Sequence, residues 1–269
     1  MSSWAHLPPV HFLCAAEQFK STILAQREAI ERNRGLPPGL SHALRDGGFF
    51  SLWLPKALGG PELTPAELAR VVEAFSHADG SVGWLVGIGT SNSRLGGYLP
   101  EPVAREIWGS GPSALAGALN PPGTAIVVPS GYRVTGQWPY ASGISHSDWV
   151  FGPCRVIEGG EPRLRPDGEP DIRLMLFPKG QAEVLDNWDV TGMRGSGSHD
   201  FRVTDLLVHL YLEIPKLQHQ KLREARTGRA RGRSCQQIDG GKLPLQFDGL
   251  VLKIHGSALH NVKMTGPPT

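Results

Sequence analysis

The sequence holds many residues able to do chemistry, and their spacing excludes most of the chemistry they could do. Ten histidines could ligate a metal or move protons. They are scattered and never pair at metal-ligand spacing, so each reads as structural. Cys14, Cys154 and Cys235 lie far apart with no Cys-x-x-Cys pair. They read as free thiols of a reducing compartment, which points to the cytoplasm. No GxxxxGK phosphate loop is present, and Gly87-Ile88-Gly89 lacks the third glycine of a dinucleotide loop and sits inside a helical pattern. There is no GxSxG nucleophile elbow and no HExxH metal motif. What remains is a few short polar segments. Asn120-Pro121 and Ser142-Gly143 are turn signals, Trp138 is a core candidate, and Gly192–His199 is a tight glycine-rich turn.

The 269 residues allow one large domain or two smaller ones. A formal net charge of +2 is too small to imply a polyanionic partner. From His209 onward, ten Lys or Arg face four Asp or Glu, so an acidic body carries a basic tail. Lys216–Arg233 lacks interleaved aromatics and reads as a solvated, poorly structured segment, not as a nucleic-acid site. No basic segment followed by an apolar run opens the chain, so no signal peptide is expected. The longest apolar stretch, near Val82–Ile88, falls far short of the ~18 residues of a membrane span.

The elements that would position any site come in two sets. Residues 12–34 carry Phe12, Ala16, Phe19, Ile23 and Ile30 at helical spacing. Pro37 and Pro38 stop that helix, and a short one bears Leu40 and Leu44. Thr64-Pro65-Ala66-Glu67 is a capping box with proline at the first helical position. Leu68, Val71, Val72 and Phe75 then line one face. Ser81 is expected to cap the next helix, Val82–Gly89, which is apolar nearly all round and so should be buried. Pro102–Trp108 reads as one more short helix. After Gly111 the period changes to strands at Ala125–Val128, Tyr132–Trp138, Asp148–Val156, Ile172–Phe177, Val184–Trp188 and Phe201–Val208. The expected fold is α+β: an all-helical domain over 1–111, an antiparallel β-barrel domain over 112–208 and an irregular tail over 209–269.

Three segments, in this order and spacing, resemble the acyl-CoA dehydrogenase superfamily over about residues 12–208. The first is Leu54-Pro55 to Gly59-Gly60 with Ala78-Asp79-Gly80 to Trp84. The second is Ala116 to Asn120 and Gly123, then Gly131-Tyr132-Arg133-Val134-Thr135-Gly136-Gln137-Trp138-Pro139-Tyr140-Ala141-Ser142-Gly143 and His146 to Trp149. The third is Trp188 to Gly192, Arg194, Ser198 and Val203. The likeness is to its flavin-dependent monooxygenase branch, the oxygenase components of two-component aromatic hydroxylases.

The resemblance implies FAD or FMN, delivered reduced by a separate flavin reductase, and oxygen used on a small, aromatic substrate. It places the Trp138–Gly143 strand beside the flavin ring, with backbone amides on the ring carbonyls. Ser142 is the catalytic candidate, its hydroxyl approaching N5, where the reduced ring must be kept dry and hydrogen-bonded. Asn120, Trp138, Tyr140 and Ala141 are the other cofactor-contacting candidates. Trp84 would face the substrate. Eight residues on, Asn92 stands where some aromatic hydroxylases carry a histidine base, and an amide cannot take a proton. Arg194 is a further candidate contact.

Relatives continue past Val208 into a helical bundle that completes the flavin pocket and builds a tetramer. Nothing after His209 has that pattern, which reads as a truncation or frame change. A homo-oligomer is expected if the flavin site is complete; no membrane or nucleic-acid partner is. Two other readings stay open: an acyl-CoA dehydrogenase, which needs a glutamate this chain does not offer, and an inactive flavoprotein remnant.

Overall fold

The computed structural model describes residues 4–109 and 111–209, and the backbone of 213–215. The tail expected over 209–269 otherwise lies outside the described residues.

The helices come first. α1 (Pro9–Asn33) begins one turn before its apolar pattern, because Pro9 suits the first helical turn, and it buries Phe12, Ala16, Ile23 and Ile30. α2 (Pro38–Asp46) follows. α3 (Pro65–Ala78) is closed by the expected capping box, with Thr64 and Glu67 each bonding the other's backbone N–H. α4 (Gly80–Ser93) is capped two residues earlier than expected. Asp79 Oδ1, not Ser81, accepts from the Ser81 and Val82 amides at 2.9 and 3.2 Å. A carboxylate there also suits the positive end of the helix. α5 (Glu101–Trp108) is the last α-helix among the described residues.

Nine strands follow: β1 (Leu115–Gly117), β2 (Gly123–Val128), β3 (Gly131–Trp138), β4 (Trp149–Glu158), β5 (Glu161–Pro162), β6 (Ile172–Pro178), β7 (Glu183–Leu185), β8 (Asp200–Val208) and β9 (Glu213–Pro215). The sheet runs β7-β8-β3-β2-β4-β6-β9, with β1 and β5 also on β4. It is a curled, mixed half-barrel, not the purely antiparallel barrel expected. β1 and β2 lie end to end along β4, both parallel to it. The turn at Leu119–Pro122, with a cis Asn120–Pro121 bond, carries the chain onward instead of reversing it. The strand expected over Val184–Trp188 stops at Leu185, because Asn187 Oδ1 takes the Asp200 amide and His199 Nδ1 takes the Trp188 amide. β9 pairs with β6 beyond Val208, where the family likeness ends. A bulge between Val134 and Gly136 lets Thr135 Oγ1 accept from the Asp205 amide.

Two apolar clusters form. The helical one centres on Phe12, Phe49 and Phe75, with Phe49 and Phe75 edge to face at 4.8 Å. The other fills the curl of the sheet around Trp138, Phe177 and Phe201. The clusters do not divide at residue 111, since α5 buries Val103, Ile107 and Trp108 in the sheet's core. Cys154, in β4, is buried there, and burial pushes its thiol up to about 12. Among the described residues, no helix is long and apolar enough to cross a membrane.

Trp138 has a cradle of glycines. A Cβ at Gly123, Gly136 or Gly152 would fall 2.7, 2.6 or 2.3 Å from its indole. The ring stacks on Phe201 at 5.0 Å, and Nε1 donates to Pro153 O at 3.0 Å.

Asp148 joins the layers. Its Oδ1 meets Arg45 of α2 at 3.0 Å, and its Oδ2 accepts from the Ala114 amide at 2.9 Å. Its backbone N–H bonds Ala114 O, and its carbonyl accepts from the Lys179 amide. Replacing Asp148 with Ala leaves Arg45 Nη1 and the Ala114 amide without their acceptor, while Arg45 Nη2 keeps the His146 carbonyl. The expected loss is about 2 kcal/mol by urea denaturation. Asp205→Ala, which breaks an exposed pair with Arg133, should cost no more than about 0.5 kcal/mol.

Candidate functional site

The site grows from the end of β3. The strand stops at Trp138 rather than running on to Gly143, because Pro139 has no N–H to continue the ladder. Tyr140 then takes a left-handed conformation at φ 62°. Its carbonyl accepts from the Ser142 amide at 2.9 Å. Gly143 follows at φ 76°, where an added Cβ would lie 2.9 Å from His146 Nε2 and 3.0 Å from Leu85. Only glycine fits this turn without strain.

A second turn braces the first. In Gly192–His199, Met193 and Gly197 are left-handed around a short 3₁₀ turn, Arg194–Ser196. Ser196 O accepts from the Gly143 amide at 2.9 Å, and His199 O accepts from the Ala141 amide at 3.1 Å. The amides of Ala141, Ser142 and Gly143 are therefore all engaged within the fold.

Three serine hydroxyls and one indole meet here. Trp84 Nε1, on α4, donates to Ser142 Oγ at 3.0 Å. Ser142 Oγ and Ser198 Oγ are 2.7 Å apart, and Ser198 Oγ and Ser196 Oγ 2.8 Å. Ser142 is half-buried, while Ser196 and Ser198 are buried. Sequence reasoning brought out Trp84 and Ser142 but missed Ser196 and Ser198. Their signal was the Gly195-Ser-Gly-Ser198 repeat, read only as a turn.

The other candidates fall elsewhere. Tyr140 is 69% exposed, its ring edge to face with Trp188 at 6.2 Å. Asn120 is exposed in the turn between β1 and β2. Trp138 and Ala141 are fully buried. Trp138 is therefore a core residue and not a cover for a ring, since its cradle closes around it. Asn92 donates from Nδ2 to Leu115 O at 3.0 Å, which ties α4 to β1. That bond accounts for its amide nitrogen. Arg194 reaches Asp189 at 2.7 Å, Val190 O at 2.9 Å and Glu31 O at 3.4 Å, so it locks the turn.

His199 sits under this turn. Its Nδ1 accepts from the Trp188 amide at 3.2 Å, and burial holds its pKa below the ordinary range. It is thus neutral at physiological pH. Among the described residues no cluster of His, Cys, Asp or Glu could hold a metal.

A cleft of about 390 Å³ opens on the far flank of the Ser147 loop, lined by Leu36, His42, Arg45, His146, Asp148 and Lys179, among others. His146 stacks on Phe50 at 5.1 Å. Its pKa is pushed down to about 3, first by burial and then by Arg45 and Lys179.

Comparison with known proteins gives a consistent result. Residues 12–96 match the acyl-CoA dehydrogenase N-terminal domain. The chain is 34% identical over 179 residues to indole-3-acetate monooxygenase of Pseudomonas putida, covering 66% of this chain and 44% of the relative. It is 33% identical over 198 residues to HsaA, the oxygenase subunit of a flavin-dependent monooxygenase of Mycobacterium tuberculosis, covering 73% and 48%. Among solved structures, XiaF from Streptomyces sp., in complex with FADH2 and glycerol, superposes with a TM-score of 0.70 at 30% identity, over 77% of this chain and 51% of that one. The chain spans about half the length of the curated relatives it matches.

The His146 geometry sets a pH dependence. The folded state holds its imidazole neutral, while the unfolded chain protonates it near pH 6.5. The unfolded state therefore binds more protons, and stability is lost as pH falls from about 6.5 towards 3. His146→Gln should remove on the order of 2 kcal/mol of that acid loss, measured by urea denaturation at pH 7 and pH 4.5.

Proposed function

We propose a flavin-dependent monooxygenase acting on a small aromatic substrate, a reading supported by the match of residues 12–96 to the acyl-CoA dehydrogenase N-terminal domain and by the likeness of the helical and β parts to XiaF. The observation that carries this reading is the 3.0 Å bond from Trp84 to Ser142. It joins two residues 58 positions apart, at a half-exposed hydroxyl edged by an indole that is 38% exposed.

These side chains suit a planar heteroaromatic ring. With the neighbouring amides engaged, the Ser142 hydroxyl is the polar group left to meet the N5 edge of FAD or FMN. Tyr140 would offer an exposed aromatic face, and Asn120 an exposed amide for the pyrimidine edge. Trp138 and Ala141 form the buried floor that fixes Ser142. A bound reduced flavin would supply the electrons that activate oxygen. Trp84 would wall the substrate side and exclude water from Ser142. Helices of 1–111 and sheet of 112–208 would each give one wall of this half-site. The relatives' names support an aromatic substrate and a separate flavin reductase as partner. A homo-oligomer with a completed flavin pocket belongs to the same proposal.

A dehydrogenase needs a carboxylate beside its substrate. Among the described residues, the side-chain partners of Ser142 are Trp84 and Ser198, neither of them acidic, which favours the monooxygenase.

The test is a titration of the purified full chain with oxidised and reduced FAD and FMN, followed by absorbance. Reduced flavin should bind, and oxygen should then yield a hydroxylated aromatic product. Bleaching of bound oxidised flavin by acyl-CoA would point to the dehydrogenase, and no binding of either form would leave an inactive remnant. Ser142→Ala should weaken reduced-flavin binding about 10-fold. It should also raise the share of reducing equivalents recovered as hydrogen peroxide.

A further inference from the structure

The serine chain behind Ser142 has a property of its own. Each hydroxyl gives one proton and accepts two hydrogen bonds. Trp84 Nε1 can only donate, so it occupies one lone pair of Ser142 Oγ. The remaining contacts, Ser142–Ser198 at 2.7 Å and Ser198–Ser196 at 2.8 Å, can be filled in two ways. In one, Ser196 donates to Ser198 and Ser198 donates to Ser142. Both lone pairs of Ser142 are then taken, and its proton points outward. In the other, Ser142 donates to Ser198, Ser198 donates to Ser196, and Ser196, at the end of the chain, keeps the one proton with no acceptor among the described bonds. A lone pair of Ser142 then points outward. Mixed arrangements give Ser198 two incoming bonds and no acceptor for its own proton, or two neighbours competing for that proton. With Ser198 only 4% exposed, an unpaired hydroxyl there is costly.

We propose that Ser196 and Ser198 are positioning residues which let Ser142 change from donor to acceptor, so that one side chain serves both redox states of a bound flavin. This rests on the flavin reading above. The oxidised ring presents an unprotonated N5, which needs a donor. The reduced ring carries a proton at N5, which needs an acceptor. Reversal of two buried hydroxyls supplies either, with no heavy atom displaced and no net proton transfer.

The consequence is selective. Without the Ser198 hydroxyl, Ser142 can still point its proton at an oxidised ring. Accepting from a reduced ring would leave its own proton without a partner. Ser198→Ala should therefore raise the Kd for reduced flavin about 10-fold and that for oxidised flavin less than about 3-fold. A tenfold change in that ratio lowers the two-electron potential of the bound flavin by about 30 mV. Ser196→Ala should shift the ratio in the same direction, since Ser198 then lacks the acceptor at the chain's end. Ser198→Thr, which keeps the hydroxyl, should restore the wild-type ratio.

The experiment measures both Kd values for the full chain and the three variants, with thermal melts to verify folding. If Ser198→Ala does not fold, Ser196→Ala carries the comparison. Equal weakening of both forms, or no change in either, overturns the switch and leaves the flavin reading standing. Failure of the wild-type chain to bind either form overturns both.

Discussion

The site hangs from one buried ring. Trp138 ends β3 in a cradle where three glycines admit no side chain, stacks on Phe201 and ties its N–H to Pro153. An indole held on all sides cannot slide, so the strand's end is fixed in position. Pro139 then forbids another ladder bond, and the chain must turn. Within four residues it reaches Ser142. That hydroxyl is placed by core packing below it and by the second turn, 192–199, which accepts the Ala141 and Gly143 amides. Loss of volume at Trp138 would thus be felt first at a residue it never touches through hydrogen bonds.

The helical and sheet parts meet through a few polar joints set in apolar surroundings. Asp148 gathers α2 and the lead into β1. Asn92 ties α4 to β1, and Trp84 ties α4 to Ser142. α4 can approach so closely because it is nearly free of charge and rich in small residues, and Asp79 both ends α3 and opens α4. The half-site is therefore assembled across two layers, with the indole donor from one and the serine acceptors from the other.

Much of this was legible in the residues. The capping box at Thr64, the burial of α4 and the alternation of Tyr132–Trp138 follow from local rules, and the structure carries each of them. Family likeness singled out Trp84 and Ser142 separately, but not their bond, since no periodicity links positions 58 apart. Two kinds of feature escaped. Parallel pairing of β1 and β2 on β4 depends on where a connection leads, which alternation does not encode. The roles of Asn92 and Arg194 depend on which carbonyls lie nearby, Leu115 for one, Glu31 and Val190 for the other. Polar side chains near a site look functional in sequence, and backbone demand often claims them first.

Cys154 carries a quieter implication. The thiolate is the nucleophile that attacks peroxide, and sulfenic acid formation begins there. With its thiol held near 12 in the sheet's core, only on the order of one molecule in 10⁵ is ionised at neutral pH. A protein proposed to work with reduced flavin and oxygen is exposed to stray peroxide at its own surface. Burying this sulfur, which keeps it protonated and out of reach, lowers the reactivity of the β core towards that by-product.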